Sequence, residues 1–81
     1  MDMLFQDVNY RLIAIFKGLA QKYGVQADGG RKIELRLSHK EIASLVGATR
    51  ETVTLELNNL NRSGDILMDG EYFILHSKHL F

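Results

Sequence analysis

The sequence is 81 residues long, 46% hydrophobic, and sets ten basic against ten acidic side chains for a formal net charge of zero. That length holds one small domain with one modest core, and the apolar fraction excludes wholesale disorder. The absence of cysteine excludes disulfides, thiol chemistry and a zinc finger, and no apolar run approaches the roughly 18 residues of a membrane helix. The opening MDMLFQDVNY lacks the basic start and small-residue cleavage site of a signal peptide, so a cytoplasmic chain without membrane association is expected.

Met1 to Gln6 carries no clear signal. Asp7 is the expected N-cap of a first helix in which Val8, Leu12, Ile15, Phe16, Leu19 and Tyr23 recur at spacings of three and four. Gly24 stands where such a helix would end in a left-handed residue. Val25 to Lys32, with Gly29-Gly30, reads as a loop. Ile33 to Leu37 alternates strictly, predicting a short strand with Ile33, Leu35 and Leu37 facing the core.

Ser38 to Leu60 then reads as two helices around a tight turn at Gly47-Ala48. Ser38-His39-Lys40-Glu41 is a capping box, in which serine and glutamate satisfy each other's free backbone donors. Ile42, Leu45 and Val46 form one apolar face, with Ala43 beside them. Thr49 is a second N-cap, followed by Val53, Leu57 and Leu60 at helical spacing. Such a pair is a helix-turn-helix, whose second helix offers its first turn to a DNA major groove. Gly64 stops that helix. Asp65–Met68 and Glu71–His76 are two β-prone runs about Asp69-Gly70, a strong hairpin signal, and Ser77 to Phe81 is a tail.

Helix, strand, helix, turn, helix, hairpin predicts an α+β winged helix-turn-helix: three helices, a small antiparallel sheet and a β-hairpin wing. The whole chain, 1–81, is expected to be one domain, with the helix-turn-helix at 38–62 and the wing at 65–76. Charge is unevenly spread. Residues 31–62 carry a net of +2 and residues 63–81 a net of −2, a weak footprint for a nucleic-acid partner. No phosphate loop, carboxylate pair or nucleophile–base set appears, so no catalytic residue is expected. His76 and His79 lie three apart without a third ligand, so no metal site is expected.

The strings DVNYRLIAIFKGLA, IELRLSHKEIASLVGATRETVTLELNNL and ILMDGEYFIL resemble the C-terminal DNA-binding domain of the catabolite activator (CRP/FNR) family of bacterial transcription regulators. The likeness runs from about Asp7 to Leu75. It is specific in Leu-Ser-x-x-Glu-Ile-Ala and Gly-x-Thr-Arg-Glu-Thr-Val, which a generic helix-turn-helix does not share. The resemblance implies sequence-specific binding of double-stranded DNA for transcription regulation. It also implies an effector domain and a dimerisation helix that would precede Asp7, so no cofactor is expected in this chain. Full-length relatives act as homodimers, with RNA polymerase as a further partner; this chain alone is expected to be weakly associating or monomeric.

By the same resemblance Arg50 and Glu51 read bases. Arginine gives paired hydrogen bonds to guanine O6 and N7, and glutamate accepts from a cytosine amino group. On an arbitrary helix such a pair would simply be solvated; the surrounding motif favours base contact. Thr54, one turn on, meets a base edge or a thymine methyl, or is a plain exposed threonine. Thr49 and Thr52 match phosphate-contact positions, which suits hydroxyls at the positive end of a helix. Ser38, His39 and Lys40 open the helix that crosses the DNA backbone. Two positions depart from the family. Leu55 replaces a second guanine-reading arginine, leaving thymine methyls or a protein interface as its contact. The wing tip Asp69-Gly70-Glu71 carries two carboxylates that phosphate would repel. These departures, with the zero net charge, motivate a rival reading: a protein-interaction winged helix with weak or no DNA binding.

Overall fold

The computed structural model describes residues 2–80, with side chains from Asp7 onward. Helix α1 spans Asp2–Tyr23, so it begins before Asp7. That residue is not the N-cap expected of it; its carboxylate pairs with Arg11 one turn on. Val8, Leu12, Phe16 and Ala20 are fully buried, whereas Tyr23, expected in the core, is 40% exposed. The helix does not end on a left-handed glycine either, because Gly24 opens a strand. Instead the Arg31 guanidinium donates to the carbonyls of Ala20 (3.2 Å) and Gly24 (2.6 Å), satisfying acceptors that a helix end leaves free.

The expected loop at 25–32 is a hairpin. Strands β1 (Gly24–Ala27) and β2 (Gly30–Ile33) pair antiparallel across Asp28-Gly29. Gly30 is there for room: a Cβ on it would lie 1.9 Å from the Leu75 carbonyl oxygen on the neighbouring strand. Strand β2 stops at Ile33, so Glu34 to Leu37 lies outside the ladder that alternation predicts. The alternation still marks faces, since Leu35 and Leu37 lie half-buried against the core while Glu34 and Arg36 are exposed. Side-chain period reports burial, and here burial outlasts strand pairing.

Helices α2 (His39–Val46) and α3 (Arg50–Ser63) form the helix-turn-helix. Ile42, Ala43 and Val46 are buried, but Leu45, expected on the same face, is 54% exposed. The wing is β3 (Ile66–Asp69) and β4 (Tyr72–His76). Asp69 pairs with Tyr72, so the turn residues are Gly70-Glu71, one place beyond the expected Asp69-Gly70. Gly70 takes φ +62°, as the first position of a primed hairpin turn requires. The four strands make one antiparallel sheet in the order β1-β2-β4-β3. With the three helices this is a winged helix-turn-helix.

Helices and sheet meet where Phe16 of α1 packs edge-to-face on Phe73 of β4, with ring centroids 5.1 Å apart. Longer-range polar links fix the helices. Arg11 donates to the Val46 carbonyl at 2.6 Å, tying α1 to the end of α2. Asn61 accepts from the Met68 backbone N–H at 3.2 Å, tying α3 to the wing. The tail continues as a 3-10 turn, Ser77–His79. It docks on Asp65, which takes Lys78 Nζ and His79 Nε2 at 2.8 Å each and pairs with the Ser63 hydroxyl. Bonds from Lys78 first, then Ser63 and His79, hold the Asp65 carboxyl well below the usual carboxylate range.

Candidate nucleic-acid interface

The start of α2 is built as the sequence predicts. Glu41 N donates to the Ser38 hydroxyl at 3.1 Å and Ser38 N to the Glu41 carboxylate at 2.9 Å, completing the capping box. Hydrogen bonding to the Glu41 carboxylate by the Ser38 backbone first, and then by the Ser38 side chain, lowers its pKa. Gly47 ends α2 at φ +71°, its N–H bonded to the Ala43 carbonyl. That left-handed turn is what lets α3 leave at an angle to α2.

Thr49 caps α3, accepting from Thr52 N at 3.2 Å and donating to the Thr52 hydroxyl at 2.9 Å. Both hydroxyls are thus engaged in shaping the first turn. Arg50 and Glu51 follow, both exposed, with no protein partner among the bonds recorded for the described residues. One turn on, Thr54 Oγ1 lies 2.7 Å from His39 Nδ1. This bond joins the first turn of α2 to the second turn of α3. It brings the two groups of candidate residues, Ser38 to Lys40 and Thr49 to Thr54, into one surface. Lys40 is the outlier: it lines a shallow groove with Leu37, Ser44 and the exposed Leu45.

A cleft of about 410 Å³ separates the start of α2 from the wing, lined among others by Arg36, Ser38, His39, Gly70 and Glu71. The wing tip is less acidic than its sequence reads. Asp69 pairs with Lys32 of β2 at 3.1 Å, and Glu71 pairs with Arg36 at 2.9 Å. Lys32 also lies over the Tyr72 ring, 5.1 Å from its centroid. Sequence reasoning missed Lys32 and Arg36 as neighbours of the wing, since the strand pairing that brings them there is not visible in the linear chain. The two histidines weighed for metal each have a protein partner: His76 accepts from Lys78 N, and His79 meets Asp65.

Residues 10–80 match the family described as Crp-like helix-turn-helix domain. The chain belongs to that family. It is 36% identical over 74 residues to the CRP-like cAMP-activated global transcriptional regulator of Mycobacterium tuberculosis, covering 91% of this chain and 33% of the relative. It is 35% identical to the global nitrogen regulator of Synechocystis, covering 89% and 32%. Among solved structures it is similar to the CO-dependent transcription factor CooA from Carboxydothermus hydrogenoformans, with a TM-score of 0.78, 31% identity, and coverage of 90% and 34%. The chain therefore spans about a third of the length of the relatives it matches. These matches place this Crp-like domain among DNA-binding output domains of transcription regulators, and do not favour the protein-interaction alternative. No helix among the described residues is long and apolar enough to cross a membrane.

Proposed function

We propose that this Crp-like domain binds a specific half-site in double-stranded DNA, with α3 in the major groove, as the output unit of a bacterial, cytoplasmic transcription regulator. Arg50 and Glu51 read base edges, and Thr54 stands beside them. Thr49, Thr52, Lys40, His39 and Ser38 set the register on the phosphate backbone. The observation that carries this reading is the pair of exposed ionic side chains, without a partner among the described residues, in the first turn of a capped helix that α2 holds through His39. Bidentate arginine–guanine pairing is worth ~1–3 kcal/mol of discrimination, the reason for placing Arg50 first.

The domain acts by binding rather than by catalysis and carries no effector or cofactor site of its own. In a full regulator two such domains would read half-sites about 34 Å apart, one turn of DNA, with RNA polymerase as a further partner. Alone, with zero net charge, it is a monomer of roughly micromolar or weaker affinity. The test is enrichment from a randomised duplex library at low salt, with wild type and Arg50→Ala in parallel. Wild type should enrich a defined sequence that Arg50→Ala no longer distinguishes; equal binding by both on every enriched sequence would sink the base-reading role.

A further inference from the structure

We propose that Leu55 reads thymine 5-methyl groups in the major groove. This specificity contact is separate from Arg50 and Glu51, and it rests on the DNA reading proposed above. Leu55 is 55% exposed. It belongs neither to the buried core nor to the partly buried residues packed against it. The next two residues, Glu56 and Leu57, are buried on the opposite side of α3. Leu55 lies four residues after Glu51 and Thr54 four after Arg50, so both continue the exposed first-turn face by one helical turn.

The chemistry of that second turn differs from the first. The Thr54 hydroxyl is turned to His39, 2.7 Å away. With that hydroxyl taken by His39, what the second turn adds to the exposed face is the carbon of the Leu55 isobutyl group. The major-groove edges of G, C and A are dominated by hydrogen-bonding groups, against which leucine would strip water without compensation. Thymine alone displays a methyl group there, at C5. An apolar second turn continuous with a charged first turn matches a site in which thymine follows the bases read by Arg50 and Glu51.

Uracil lacks only that methyl, so the test is uracil in place of thymine, one position at a time, in the sequence enriched by wild type. At one or two positions uracil should weaken wild-type binding about fourfold, the equilibrium worth of one buried methyl-sized group. Leu55→Ala should bind thymine and uracil alike at those positions. A C·G pair placed there should bind better as 5-methylcytosine than as cytosine. Tolerance of uracil everywhere, with Arg50→Ala still losing enrichment, would overturn the methyl contact and leave the DNA reading standing. Undiminished uracil sensitivity in Leu55→Ala would remove Leu55 from the role. Failure of wild type to enrich any sequence would overturn both.

Discussion

His39 Nδ1 and Thr54 Oγ1 meet at 2.7 Å across the helix-turn-helix, and they form the side-chain hydrogen bond that joins α2 to α3. A partly buried bond of this kind contributes ~0.5–1.5 kcal/mol. His39→Ala and Thr54→Val should each lower stability by about that amount, and the double variant by less than their sum. A coupling near zero in a urea double-mutant cycle would mean that the bond is not made in solution.

The wing carboxylates restrain two cations. With Asp69 on Lys32 and Glu71 on Arg36, neither base is free to meet a phosphate without first leaving its partner. Asp69→Asn with Glu71→Gln should therefore tighten DNA binding at low salt. The log–log dependence of affinity on salt should steepen by about one for each freed cation that reaches a phosphate. An unchanged slope would place both cations outside the DNA footprint.

Asp65 links stability to acid. Its carboxyl is held below the usual range by Lys78, Ser63 and His79, so the folded state favours the charged form more than the unfolded chain does. That contribution is complete above the ordinary carboxylate pKa and is lost as pH falls below it toward the folded value. Asp65→Asn should be less stable than wild type at pH 7, and the difference should shrink as pH approaches 3 in urea unfolding. A difference independent of pH would show that the tail docks without the carboxylate charge.

Gly30 is a test of packing. Its missing Cβ would sit 1.9 Å from the Leu75 carbonyl oxygen, so Gly30→Ala must displace β2 from β4. A loss of at least ~2 kcal/mol is expected, read as a lower thermal midpoint, whereas Gly18→Ala, with nothing within 4 Å, should be neutral or stabilising.

Local chemistry is legible in the sequence where a group and its partner lie within one turn: Ser38 with Glu41, Thr49 with Thr52, the left-handed Gly47. The exposed start of α3 is legible for the same reason, together with the family string around it. The misreadings have other causes. Gly29-Gly30 looks like a loop because the approach of Leu75 that requires Gly30 comes from a distant strand. Asp7 looks like a cap because the apolar repeat starts just after it, whereas the helix itself already begins at Asp2. Leu45 fits an apolar face by spacing, yet Ala43 takes the buried position against the core. The acidity of Asp69 and Glu71 is misjudged until strand pairing delivers Lys32 and Arg36.

The Asn61 carboxamide that accepts from Met68 N–H makes the far end of α3 and the hairpin lean together. If a duplex docks on α3 as proposed, a groove that presses on the wing would bear on the helix through this bond. On the reading proposed for Arg50, the breadth of a flanking groove, set by bases no side chain touches, would then bear on base selection without a contact of its own.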